Sequence, residues 1–157
     1  MNDQNHLREL YQELILDHYR QPRNCHPLPD ANREAEGFNP LCGDRLKLHL
    51  KVEDGVIRGI SFEGSGCAIS TASASLMTEA LQGKSEQQAE ALFRALQGLL
   101  TQQAAIPALA DPAGAGLGKL AALLGVREFP ARIKCATLAW HTLHAALNRQ
   151  AATVSTE

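Results

Sequence analysis

No apolar run in this chain approaches the ~18 residues of a membrane span, and Met1-Asn2-Asp3-Gln4-Asn5-His6 lacks the basic and then apolar order of an export signal. A cytosolic protein is expected. There is no basic run and no aromatic-basic stripe: aromatics make up 4% of the residues and the net charge is -2. Nucleic acid and other polyanions are therefore excluded as partners. There is no CxxC pair and no internal repeat. The four cysteines in a reducing compartment favour thiolate or metal chemistry over two disulfides. What remains is 157 residues with 45% hydrophobic content, enough for one domain with its own core.

The order of patterns along the chain is helical, then extended, then helical. Leu7, Leu10, Tyr11, Leu14, Ile15 and Tyr19 recur at three- and four-residue steps, an amphipathic helix that should end near Arg20 because Pro22 disfavours helical geometry before it. Gln21 to Pro40 carries four prolines and reads as a linker with at most one short strand. Leu46, Leu48, Leu50 and Val52 alternate with polar residues, and Glu53-Asp54-Gly55 supplies a turn before Val56 to Phe62, which predicts a β-hairpin with one buried face. After Gly64-Ser65-Gly66 a helix should run from Ala68 to Leu81, with Cys67 at its start. Ser85 caps another helix to about Leu100, and Thr101 to Gly118 is an irregular Ala/Pro/Gly-rich stretch. The last helix starts near Pro130 and carries Ile133, Ala136, Trp140, Leu143 and Leu147. A single domain follows, with its core at about 6–149, an insertion at about 83–128 and fraying termini before about Asn5 and after about Gln150.

Cys42-Gly43-Asp44, Cys67 after Gly64-Ser65-Gly66, and Cys135 after Arg132-Ile133-Lys134 are the residues with chemistry in them. Asp44 and Cys67 lie 23 positions apart and Cys67 and Cys135 lie 68 apart, so only folding can gather them. Residues i and i+2 of an extended strand point the same way, so Cys42 and Asp44 can reach one ion past Gly43. Helix starts favour the thiolates of Cys67 and, more weakly, Cys135, with Arg132, Lys134 and Arg45 able to offset negative charge. Three thiolates and a carboxylate suit zinc, a labile iron-sulfur cluster or transferable sulfur. Buried cysteines also behave as small hydrophobes, and Asp44 before a strand can simply cap a turn.

Asp17-His18-Tyr19, Pro22-Arg23-Asn24, Asn39-Pro40-Leu41-Cys42-Gly43-Asp44, Phe62-Glu63-Gly64-Ser65-Gly66-Cys67-Ala68-Ile69-Ser70 and Phe129 to Trp140 occur in the order seen in the U-type iron-sulfur cluster assembly family. The chain resembles that family over nearly everything but its termini, and within it the SufU branch. The resemblance implies an α+β fold, a small antiparallel sheet packed by helices as in SufE and IscU. It also implies a metal site of Cys42, Asp44, Cys67 and Cys135 holding zinc or, alternatively, iron or a [2Fe–2S] cluster. The implied partners are a SufS-like cysteine desulfurase, which passes persulfide sulfur to Cys42 and lends a histidine as substitute ligand, and downstream assembly or apo-acceptor proteins. Lys134 stands where IscU-type scaffolds carry a histidine, and Phe129-Pro130-Ala131-Arg132 where they carry Leu-Pro-Pro-Val-Lys. The insertion is typical of the SufU branch.

These features imply a zinc-bound sulfur acceptor that works with a desulfurase and is not an independent enzyme. The alternatives are a [2Fe–2S] scaffold and a structural zinc module. Cys25 in the proline-rich linker reads as an incidental thiol and His26 as solvated. His18 should stabilise the end of the first helix or pack there, and His49, between Leu48 and Leu50, should face solvent or a partner. His141 and His144 read as the solvent face of the last helix, Met77 and Trp140 as core, and Ser70, Ser73 and Ser75 as small residues that allow close helix packing.

Overall fold

The computed structural model describes residues 3–101, 118–127, 129–148 and 154–155. Helix α1 (Asp3–Arg20) is followed by strands β1 (Arg33–Asn39), β2 (Asp44–Glu53) and β3 (Val56–Ser65). Then come α2 (Ala68–Leu81), α3 (Glu86–Leu100), a 3₁₀ segment (Gly118–Val126), α4 (Pro130–Leu147) and a two-residue strand β4 (Val154–Ser155). The fold is α+β, as expected. The sheet order is β3-β2-β1-β4, antiparallel through the first three and parallel between β1 and β4. The Ala/Pro/Gly-rich stretch between Thr101 and Gly118 lies outside the described residues.

Alternation on β2 decides which face is buried. Leu48 faces Ala35 on β1 and Phe62 on β3, and Leu50 faces Ile60, so one side of the sheet presents a continuous apolar layer. Helices α2 and α4 cover that layer, and α1 packs on α2. Each fully buried Leu, Ile or Met there contributes about 1.5–3 kcal/mol relative to an exposed one. The two covering helices also meet through polar groups. Trp140 Nε1 donates to Ser73 Oγ at 3.2 Å, and Ser73 Oγ donates to the Ala136 carbonyl at 2.6 Å. The small serines of α2 thus allow close packing and satisfy buried donors as well. Ser75 Oγ likewise accepts from the Arg23 backbone N–H at 2.8 Å and lies 2.7 Å from His18 Nδ1, which ties α1 and the following segment to α2.

Several local expectations change. The buried side of α1 holds Tyr11, Leu14, Ile15 and His18, while Leu10 and Tyr19 are exposed. His18 is fully buried, and burial, followed by the nearby Arg23 charge, holds its pKa below the ordinary histidine value. His49 does not face solvent. It lies on the sheet side away from the helices, between Glu34 at 3.1 Å and Glu63 at 2.8 Å, and those longer side chains cover it. His144 contacts Glu90 of α3 at 2.9 Å, and His141 packs edge-on against Phe93 at 5.2 Å, so this side of α4 meets α3 and is only half-exposed to water. The tail, expected to fray beyond about residue 150, includes Val154–Ser155 paired with Gly37 and Phe38. Edge pairing uses backbone groups and needs no apolar pattern, so sequence periodicity does not reveal it.

The seat of α4 on β1 depends on Gly37. A Cβ there would stand 2.1 Å from Thr142 Oγ1 and 3.0 Å from Leu138 Cδ1. The missing side chain lets the helix that carries Cys135 lie directly on the strand that ends at Asn39. Gly37→Ala should therefore destabilise the fold by about 1–3 kcal/mol, the usual cost of overpacking. Thermal melting should show a lower midpoint for Gly37→Ala and partial recovery in Gly37→Ala/Thr142→Ala, which removes the nearest clashing oxygen. A Gly37→Ala midpoint equal to wild type would contradict the close approach.

Candidate metal centre

Four segments converge at one end of the sheet. Asn39, the last residue of β1, faces Asp44, the first of β2, and Pro40 to Gly43 form the turn between them. Gly43 takes a φ of +70°, a region that side-chain-bearing residues rarely adopt, and so the turn closes with Cys42 at its exposed tip and Asp44 on the helix-facing side. Asp44 is completely buried. Its Oδ1 accepts from the Cys67 backbone N–H at 2.8 Å, which joins the start of β2 to the start of α2. Gly66 makes room for this contact, because a Cβ there would lie 2.7 Å from Oδ1.

Cys67 is the N-cap of α2, and its Sγ accepts from the Ser70 N–H at 3.4 Å. A sulfur replaces the usual cap oxygen, in the position where helix N–H groups favour an anion. Cys135, the sixth residue of α4, is buried, and its Sγ lies 3.2 Å from Cys42 Sγ. One donor atom from each of Cys42, Asp44 and Cys135 lies within 4.8 Å of the other two. Cys67 stands beside this trio with its Sγ 4.0 Å from Asp44 Oδ2. Donors around a tetrahedral zinc with ~2.3 Å Zn–S bonds sit roughly 3.5–4 Å apart, so the spacing fits a small ion.

Burial, and then contact with Cys42, Asp44 and Cys67, pushes the Cys135 thiol far above the ordinary cysteine range. The position in the second turn of α4 does not offset this, because the helix field fades beyond the first turn. A cation reverses the balance: thiolates and a carboxylate this close together need a positive charge among them to ionise. Oδ1 accepts from the Cys67 N–H and Oδ2 from the Asn39 amide, and a second lone pair on Oδ2, the oxygen 4.0 Å from Cys67 Sγ, remains open to an ion.

The basic residues are arranged less simply than the sequence suggests. Arg45 follows Asp44 on β2, so it projects to the opposite sheet face, over the Phe38 ring at 4.7 Å. Arg132 lies over the exposed Phe129 ring at 5.2 Å, and Lys134 is half-buried on α4. Cys25 is exposed in the segment after α1, and partial desolvation by its neighbours, followed by the Glu63 charge, raises its pKa. Asn39, which had no assigned role, is completely buried at the centre of the site: its Nδ2 lies 3.2 Å from Asp44 Oδ2 and 3.4 Å from Cys135 Sγ.

A buried carboxylate and three thiols are brought together from separate segments of an α+β frame, a donor set that could hold a metal ion. The chain belongs to the family described as the NifU-like N terminal domain, whose model matches residues 10–136, and thus to the U-type iron-sulfur cluster assembly proteins. It is 40% identical over 137 residues to the "Zinc-dependent sulfurtransferase SufU" of Bacillus subtilis (strain 168), covering 87% of this chain and 88% of that one. It is also 40% identical over 145 residues to the "Iron-sulfur cluster assembly scaffold protein IscU" of Streptococcus pyogenes serotype M1, covering 92% and 87%. The crystal structure of FiSufU, from thermophilic Fervidobacterium Islandicum AW-1, matches with a TM-score of 0.78 and 30% identity, covering 86% of this chain and 94% of that one.

Because the donors come from distant segments, metal free energy is partly folding free energy. Asp44→Ala and Cys67→Ala should each hold less than one zinc per chain after dialysis and melt below wild type, whereas Cys25→Ser should match wild type in both. Metal analysis and melting with and without a chelator check this; a melting curve unmoved by complete metal removal would overturn it.

Proposed function

We propose that this protein is a zinc-bound sulfur acceptor and carrier of iron-sulfur cluster biogenesis, taking persulfide sulfur from a SufS-like cysteine desulfurase. One observation carries the reading. Of the clustered donors, Cys42 is exposed at the tip of a turn, while Asp44 and Cys135 are buried behind it. A group that must leave the site, meet a partner and return is best placed on a turn; groups that hold the site together are best placed on packed elements. Cys42, Asp44, Cys67 and Cys135 would hold the metal, which supplies the positive charge that keeps their thiols ionised at neutral pH.

In the transfer step the Cys42 sulfur attacks the outer sulfur of the desulfurase persulfide. A new S–S bond forms on Cys42, the bond to the desulfurase cysteine breaks, and that cysteine leaves as a thiolate carrying the negative charge that Cys42 brought. No net oxidation occurs. Asp44, Cys67 and Cys135 would keep the pocket assembled meanwhile, and a donor from the partner would stand in for Cys42. The sulfur then passes to downstream assembly proteins. Arg132 and Lys134, just before Cys135 on α4, would offset part of the negative charge of the site. In this reading the protein acts in the cytoplasm, as one assembly domain with 83–128 as an insertion and with no independent turnover. Among the described residues no helix is long and apolar enough to cross a membrane.

The hard Asp44 ligand also supports a second reading, a scaffold on which a [2Fe–2S] cluster is built and released. Protein purified anaerobically without added metal discriminates: colourless protein with one zinc per chain supports the carrier, and a visible-absorbing iron-sulfur species supports the scaffold. Mixed with a cognate desulfurase and free cysteine, wild type should raise turnover and carry a persulfide on Cys42. Cys42→Ser should abolish the stimulation, since an alcohol does not accept the sulfur at neutral pH. A persulfide found by mass spectrometry on another residue, or normal stimulation by Cys42→Ser, would refute this role.

A further inference from the structure

The Asn39 side chain has one acceptor and two N–H donors, and each meets a segment that carries a candidate ligand. Oδ1 accepts from the backbone N–H of Leu41, the residue before Cys42, at 3.3 Å. Nδ2 donates to Asp44 Oδ2 at 3.2 Å and to Cys135 Sγ at 3.4 Å, the latter across 96 positions of sequence. The residue is 0% exposed, so no water competes for these groups. A buried amide left unpaired carries the full penalty of its lost water contacts, so the side chain is fixed by the contacts it makes.

We propose that Asn39 is a positioning residue of the metal centre, whose amide clamps Asp44 and Cys135 in ligand geometry and withdraws electron density from the Cys135 sulfur. The inference rests on the metal-centre part of the proposed function and adds a residue to it. Hydrogen bonds to ligand atoms orient them and tune how strongly they donate, and N–H groups aimed at a thiolate and a carboxylate favour their ionised forms. Asn39 also resolves a requirement of a carrier with an exchangeable ligand. When Cys42 swings out, the two buried donors must not drift together or turn away. The amide spans them, and its carbonyl keeps the Leu41 N–H, and with it the base of the turn, in register for the return.

The test uses cadmium as the probe, because ¹¹³Cd couples through a bound sulfur to a proton hydrogen-bonded to it. In ¹⁵N-labelled wild type saturated with ¹¹³Cd, the cysteine Hβ couplings identify the bound thiolates, and a further coupling should appear at an Asn39 Hδ2 proton. Asn39→Leu keeps the branched shape and removes every hydrogen bond. It should bind zinc roughly 10–100-fold more weakly than wild type. Loaded with saturating cobalt(II), it should keep the intensity of four-coordinate bands while its thiolate-to-cobalt absorption moves to longer wavelength, a shift that a purely structural role would not produce. If Asn39→Leu does not fold, the cadmium coupling in wild type decides alone. A cadmium-bound Cys135 with no coupling to the Asn39 amide, or a folded Asn39→Leu with wild-type zinc affinity and cobalt spectrum, overturns this inference alone. A wild type that takes up neither zinc nor cadmium overturns the metal-centre reading and this inference together.

Discussion

The buried Asp44 carboxylate is the constraint on which this end of the molecule depends. A polar side chain with no access to water must find hydrogen-bond partners, and Asp44 does so with the Cys67 N–H on one oxygen and the Asn39 amide on the other. Those bonds fix the start of β2 against the start of α2 and the end of β1. The turn that carries Cys42 is then held at its base and free at its tip. Without a cation, burial first and then the close neighbours hold the Cys135 thiol in its protonated form. With one, the same crowding becomes a coordination sphere.

Close approach of backbones delivers these groups to one place. Gly37 lets α4 settle on β1 beside Thr142, and Gly66 lets the entry to α2 settle on Asp44. The Trp140–Ser73–Ala136 hydrogen bonds lock α2 to α4 behind the site, and so the two cysteines that belong to helices are carried by a single rigid unit. Cys42 alone belongs to a turn. The division between two buried donors and one exposed donor is a product of packing, and it suits a site that exchanges one ligand while retaining the others.

Much of the fold was legible because it follows from local periodicity. Alternation on β2, the Asp54-Gly55 turn, the Cys67 and Ser85 caps and Pro130 at the start of α4 each announce their element. Side chains on polar faces were less legible. His49 alternates like a solvent-facing residue, yet Glu34 and Glu63 from the two flanking strands cover it, and His141 and His144 meet α3 across a helix interface. Periodicity states which side of an element a residue occupies. It does not state what another element lays over that side.

The same division holds for the metal centre. The sequence by itself determined its chemistry: Cys42, Asp44, Cys67 and Cys135 are the thiols and carboxylate available, each beside a turn or helix start, and their residue types restrict the ions they can bind. Tertiary structure alone decided the placement, by exposing Cys42, burying Cys135, turning Arg45 to the far sheet face and drawing Asn39 into the centre. The physical reason is that ligand type is a property of one side chain, whereas burial, pairing and reach depend on residues up to 96 positions away, and only packing sets those distances.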